Sequence, residues 1–246
     1  MRNIENYTEE YKKHNFEEIQ VLYRRKKVLE QLNLYPHKYI LEIGCGFEPI
    51  FKYFDDFESM TIVEPGMEFI ENAKKISQNK TRIKCIHGLL EDKISELTLQ
   101  NYNFIIVSGL LHEVERPDIL LEALRLVCGL HTVVHINVPN AYSIHRILAK
   151  EMGLIENIIE KSSTQIKLQQ HSTFSMEGLI KLLKNHQFKI LDKGSFFIKP
   201  FTHQQMCDML TTNIINLRVL DGLYELTKYM PEYGSEIYVN CQIQSQ

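Results

Sequence analysis

The chain has no long apolar run, no cysteine pair at a metal-binding spacing, no repeat or low-complexity tract, and little net charge. Each absence narrows what it can be. No stretch approaches the roughly 18 uninterrupted apolar residues of a membrane-spanning helix, and Met1 to Asn6 is polar where a secretion signal carries an apolar centre. A cytoplasmic protein without a membrane partner is expected. The five cysteines, Cys45, Cys85, Cys128, Cys207 and Cys241, are odd in number and far apart. They read as reduced thiols, mostly in the core, and suggest neither a disulfide framework nor a zinc site. A net charge of -3 gives no long-range attraction for polyanions, so no nucleic-acid partner is expected. The short basic runs Arg24-Arg25-Lys26-Lys27 and Lys74-Lys75 lie in helix-like sequence and read as solvated faces.

What is present is ordinary globular material: 246 residues, 44% apolar and 24% charged, enough for one α/β domain with insertions. Residues 6 to 33 carry apolar positions at helical spacing, and Pro36 should end that pattern. Beyond it, short β-rich runs alternate with helical patterns. Strands are predicted at Lys38 to Ile43, Met60 to Val63, Arg82 to His87, Phe104 to Ser108, His131 to Val138, Phe188 to Phe197 and around Ile237 to Cys241. Helices are predicted at 67 to 77, at 117 to 127 with Pro117 in its first turn, at 175 to 185 with Ser175 as N-cap, and across 203 to 229. This alternation predicts a doubly wound, mostly parallel seven-stranded sheet covered by helices on both faces. The polar stretch 139 to 172 interrupts the rhythm and reads as part of a lid.

The most informative segment is Tyr39-Ile40-Leu41-Glu42-Ile43-Gly44-Cys45-Gly46, a buried strand running into a glycine turn, with Pro49 to Phe54 read as the start of a helix. Glycine suits a backbone that must turn sharply and approach a ligand. Twenty residues beyond Gly44, Glu64 closes the next strand. In a doubly wound sheet the carboxyl ends of adjacent strands meet at the ligand crevice, where this carboxylate could accept hydrogen bonds from both hydroxyls of a ribose. A dinucleotide fingerprint would place glycine at position 49, and the residue there is Pro49.

These residues resemble the first motif of the class I S-adenosylmethionine-dependent methyltransferases, an acidic residue followed by Gly-x-Gly. The similarity is strong over residues 38 to 140 and weaker over 170 to 241. It implies a Rossmann-like fold and S-adenosylmethionine as methyl donor. It places Gly44, Cys45 and Gly46 under the donor's methionine part with Glu42 helping to orient it, Glu64 on the ribose, and Met67 with Pro65 against adenine. After the third strand, His87-Gly88-Leu89-Leu90 stands where many relatives carry an Asp for the adenine amino group. Leu89 cannot play that part, which leaves backbone groups of Gly88, Leu89 and Leu90. Ser108 and Gly109 become donor contacts, and Tyr7 and Tyr11 fall in an N-terminal segment that folds over the donor pocket in many relatives.

The same resemblance makes His112, in Ser108-Gly109-Leu110-Leu111-His112-Glu113, the leading acceptor-side residue and a candidate general base. His112-Glu113 is no metalloprotease motif, because Arg116 stands where the second His would be needed, and no metal is expected. His131 and His135 share one face of a strand and read as structural. Asn140 to Arg146, Glu151 to Leu154, Gln170-His171, Gly194 to Pro200 and Pro231 to Tyr238 are similar to bacterial methyltransferases of sugar and surface-polysaccharide (capsule) modification. Within them His145, Arg146, His171 and Lys199 are candidates for holding an anionic or hydroxyl-rich small-molecule acceptor. The expected organisation is a single domain over 1-246, with an N-terminal helical cap at 1-37, a donor-binding core at 38-138, and lid and acceptor segments at 139-172 and 201-232; a homodimer is an open option. Two rivals stand beside this reading: an NAD-dependent oxidoreductase and a non-catalytic methyltransferase-like subunit.

Overall fold

The computed structural model describes residues 17–78, 80–160 and 171–244. In chain order it runs α1 (Glu17–Leu32), β1 (Tyr39–Ile43), a 3-10 turn (Ile50–Lys52), β2 (Ser59–Glu64), α2 (Met67–Ser77), β3 (Ile83–His87), a 3-10 turn (Leu90–Asp92), α3 (Ile94–Leu97), β4 (Phe104–Ser108), α4 (Pro117–Val127), β5 (Val133–Pro139), α5 (Ile144–Glu151), α6 (Met176–Asn185), β6 (Phe188–Phe196), α7 (His203–Thr211), α8 (Leu217–Glu225), a 3-10 turn (Leu226–Lys228) and β7 (Glu236–Ile243). Among the described residues no helix is long and apolar enough to cross a membrane.

The strands form one seven-stranded sheet in the order β3-β2-β1-β4-β5-β7-β6. β1 pairs in parallel with β2 and β4, β2 with β3, and β4 with β5. The sheet is mixed rather than mostly parallel, because β7 runs antiparallel to both of its neighbours, β5 and β6. The central strands are buried almost end to end, as strands covered on both faces must be.

Side chains alternate between the two faces with the period of two that a strand imposes. Leu41, Ile105, Val107, Val134 and Ile136 face Leu120 and Leu124 of α4 and Leu179 and Leu183 of α6. Ile40, Ile62, Phe104 and Ile106 face Val28 and Leu32 of α1 and Ile70 of α2. A third cluster, Tyr23, Phe196, Phe197, Met206, Leu220 and Tyr224, fastens α1 to α7 and α8.

Local chemistry accounts for the helix limits. Pro117 sits in the first turn of α4, where its missing N–H costs nothing. The Ser175 hydroxyl accepts from the Gly178 N–H at 3.0 Å and caps α6. Thr202 and Gln205 form a capping box on α7.

Three further expectations change. The segment from Pro49 to Phe54 holds only the three-residue 3-10 turn, with Pro49 before it in an extended conformation. The stretch 203 to 229 is two helices, parted where Asn213 adopts a positive φ of 57°. The basic run on α1 is no solvated face: Arg25 pairs with Glu48 and lies 3.7 Å from the Tyr53 ring centroid, Lys27 bonds Glu30, and Arg24 binds Glu236. Lys74 and Lys75 are exposed as expected. The stretch 139 to 172 contains α5, and its residues 161–170 lie outside the described residues.

Candidate functional site

In the order β3-β2-β1-β4-β5 the chain moves outward from β1 to β2 and β3, then crosses back to place β4 on the other side of β1. The carboxyl ends of β1 and β4 therefore flank a topological switch point, the position where open α/β sheets hold ligands. Three strands leave this edge of the sheet by the same device. The N–H of Gly44 donates to Val63 O at 2.9 Å, that of Gly88 to Glu64 O at 3.1 Å, and that of Gly109 to Asn137 O at 3.0 Å. Each extends the ladder one residue past its strand and then turns the chain away.

Gly44 and Gly46 have φ values of 75° and 56°, a region that side-chain-bearing residues enter only with strain. A Cβ at Gly44 would meet Leu110 Cδ2 at 3.4 Å, and one at Gly46 would meet nothing within 4 Å. The turn is thus roofed on one side by the segment after β4 and open on the other. Cys45, between them, turns its side chain into the core beside Val28, Ile50 and Phe51. Burial pushes its thiol far above the ordinary range, so this residue has only backbone to offer a ligand.

Two buried carboxyls frame the turn. Both oxygens of Glu42 accept from the Ile50 N–H, at 3.2 and 3.1 Å. Burial, only partly opposed by that donor, pushes its carboxyl up to about 8. Glu64 accepts from Gly66 N at 2.7 Å and from Gly46 N at 3.3 Å. Burial raises it too, against the opposing effect of these backbone donors. Each carboxylate oxygen carries a second lone pair, so Glu64 can hold the turn and still accept from a hydroxyl.

Beside Glu64, Met67 and Leu89 expose 54% and 47% of their surface, giving an apolar margin at the ends of β2 and β3. Leu90 is a core residue and offers only backbone. Pro65 O contacts His87 Nε2 at 3.0 Å, and Asn72 Nδ2 donates to Phe47 O at 2.7 Å, fastening the turn to α2. Tyr7 and Tyr11 lie outside the described residues.

On the other side of the crevice, Ser108 ends β4 and His112 is buried four residues later, with Nε2 3.9 Å from Glu113 Oε1. The His112 carbonyl accepts from His171 N at 2.9 Å and Ser172 N at 3.1 Å, so His112 and His171 meet through the backbone. Leu110 carries this segment over Gly44. His145, Arg146 and Lys199 form a second group, joined by His203; burial first, then the neighbouring Lys199 and His203 charges, push the His145 imidazole well below its ordinary value. Arg146 donates from Nε and Nη2 to Ile158 O at 3.1 and 2.6 Å and to Glu160 O, a use of the guanidinium that closes the chain after α5. His135 is wholly buried and bonds Asn240 Oδ1 at 2.8 Å, as its structural reading requires, whereas His131 precedes β5 and is exposed.

Sequence reasoning missed Gln20, Arg24, Asn137 and Glu236, which meet in one buried network at the same sheet edge. A basic run on a helix and a carboxylate in a β-rich run carry no local sign that they belong together.

No protein-family model matches the sequence, and no curated protein matches it. Solved structures do. The plantazolicin methyltransferase BamL, in complex with a triazolic desmethylPZN analog and SAH, is 15% identical over 98% of this chain and 97% of its own, with a TM-score of 0.60. The cyclase SpnF is 12% identical over 90% and 81%, with a TM-score of 0.58. The N-methyltransferase NodS from Bradyrhizobium japonicum WM9, in complex with S-adenosyl-L-homocysteine, is 10% identical over 96% and 91%, with a TM-score of 0.56. At these identities the likeness is one of architecture, and the chain has the α/β Rossmann-like fold of methyltransferases, with a seven-stranded sheet.

Proposed function

We propose that the protein transfers a methyl group from S-adenosylmethionine to an oxygen of a small polar or anionic acceptor. The observation that carries this reading is the Gly44–Gly46 turn held by Glu64 at the switch point between β1 and β4. The residues present fit the donor: a turn open at Gly46, a carboxylate for ribose hydroxyls, and an exposed apolar margin at Met67 and Leu89 for a base. A dinucleotide fits less well, because its pyrophosphate needs a helix N-terminus after β1, and only a 3-10 turn follows here. That two methyltransferases of similar fold were solved with the demethylated donor supports the reading. The cyclase among the similar structures shows that fold alone does not decide the reaction.

When bound, the donor supplies a methyl group on a sulfonium, already activated for transfer. The work left to the chain is alignment and exclusion of water. Backbone of Gly44, Cys45 and Gly46 supports the methionine part beside Glu42, while Gly88, Leu89, Leu90, Ser108 and Gly109 line the remaining edge. His112 takes the proton of a hydroxyl acceptor, or orients an acceptor that is already an anion. His145, His171 and Lys199 hold the acceptor's polar groups. A sugar hydroxyl or a phosphate- or phosphoramidate-type oxygen in surface-polysaccharide modification suits such a set.

A ligand that binds only the native state stabilises it by RT ln(1 + [L]/Kd), about 2.7 kcal/mol at a hundredfold excess over Kd. Differential scanning fluorimetry should therefore show a raised Tm with S-adenosylmethionine and S-adenosylhomocysteine, and none with NAD or NADP. Equal stabilisation by NAD would reverse the assignment.

A further inference from the structure

The antiparallel direction of β7 sets its first residue, Glu236, opposite Pro139, the last residue of β5. Glu236 thus lies at the same sheet edge as the carboxyl ends of β1, β2 and β4, with 2% of its side chain exposed. Its carboxylate is saturated. Arg24 Nε donates to both oxygens at 3.0 Å and Nη2 to Oε1 at 2.7 Å, Gln20 Nε2 to Oε1 at 2.9 Å, and Asn137 Nδ2 to Oε2 at 2.7 Å. These contacts fill the roughly four lone-pair sites a carboxylate has, so Glu236 is built in as an anchor.

The residues leading into Glu236 are equally fixed. Asn140 Nδ2 donates to Glu232 O and Gly234 O, both at 2.9 Å, the Ser195 hydroxyl donates to Pro231 O at 2.7 Å, and Gly234 N donates back to Ser195 Oγ at 2.9 Å. On the far side, the Arg24 guanidinium fills the space a side chain at Gly109 would take, with Cζ 3.3 Å from that Cβ position. The next residue, Leu110, lies 3.4 Å from the corresponding position of Gly44.

We propose that Glu236 and Arg24 are positioning residues that couple the 231–236 segment, on the acceptor side, to the donor turn at Gly44–Gly46 through Gly109 and Leu110. Loss of the fork between them frees the guanidinium from Gly109, loosens the post-β4 turn, and with it the roof over Gly44. The consequence for donor binding rests on the function proposed above; the mechanical coupling does not.

The test is hydrogen exchange on the full chain without ligand, comparing wild type with Glu236→Gln and Arg24→Lys. Glutamine keeps size and one acceptor, and lysine keeps charge without the fork. The amides of Gly44 and Gly109, both hydrogen-bonded across strands, should exchange on the order of tenfold faster in either variant. The Gly88 amide, bonded to Glu64 O at the same edge but outside the network, should keep its wild-type rate. Faster exchange confined to α1 and β7, or equal acceleration at Gly88, would overturn the coupling and leave a merely structural pair. In a parallel arm, calorimetry with S-adenosylhomocysteine should show Kd raised by about tenfold in both variants. Absence of binding by the wild type would refute the donor assignment, and the exchange rates would still decide the coupling.

Discussion

His112 shows how much a single side chain can leave open until its chemistry is probed. It is buried, within 3.9 Å of Glu113, at the end of the β4 segment that roofs the glycine turn. A general base must change protonation during the reaction, whereas an orienting residue need only hydrogen-bond. If His112 is the base, His112→Ala lowers the single-turnover rate about 10²- to 10⁴-fold with donor affinity little changed. His112→Gln then rescues little, since an amide cannot take the proton. Substantial activity in the Gln variant would reassign His112 to orientation. A near-wild-type rate with lowered Tm in the Ala variant would remove it from the chemistry. Both substitutions, measured by single-turnover kinetics across about pH 5 to 9, the window of an ordinary histidine, separate the three outcomes.

Among the elements, the helices with clear end signals were the ones whose limits could be read in advance. α4 begins at Pro117, and α6 begins after Ser175, whose hydroxyl takes the Gly178 N–H. Ser175→Ala should destabilise the fold by about 1 kcal/mol, the usual worth of such a cap, lowering the denaturation midpoint without changing the m-value. A change smaller than about 0.3 kcal/mol would mean that packing of Leu179 and Leu183 alone holds the start of α6. The helix expected after Pro49 fails for a local reason: the chain closes as a three-residue 3-10 turn, with Tyr53 N donating to Ile50 O at 2.9 Å and Phe51 drawn into the core. The basic face of α1 fails for a distant one. Lys and Arg at helical spacing look the same whether they meet water or, as Arg24 and Arg25 do, carboxylates on β7 and after the glycine turn.

At the scale of the whole molecule, buried ionisable groups set opposing dependences of stability on pH. Burial raises Glu42 from an ordinary 4.5 to about 8 and lowers His135 from 6.5 to about 4. For Glu42 the folded state binds more protons than the unfolded one between these values, so its contribution falls as pH rises from 4.5 to 8. For His135 the unfolded state binds more protons, so its contribution falls as pH drops from 6.5 to 4. Glu64, also raised, acts in the same sense as Glu42. Stability should fall by about 2 kcal/mol for Glu42 alone between about pH 6.5 and 8, above the range in which His135 and His145 oppose it. Urea denaturation of wild type and Glu42→Gln at those pH values checks this. An equal fall in the Gln variant would place its source elsewhere.

The sequence by itself determined the strands, the glycine turn and the acid that closes β2, because each rests on local chemistry: short apolar β-rich runs, glycine at positive φ, and a fixed distance from Gly44 to Glu64. Only the tertiary structure decided that β7 runs antiparallel between β5 and β6, since an alternating pattern reads the same in either chain direction and cannot encode one. That direction carries Glu236 to the crevice edge and onto Arg24, 212 residues earlier in the chain. A contact across such a separation leaves no mark in local pattern, because it exists only once β7 has paired in the sheet and α1 has packed against it.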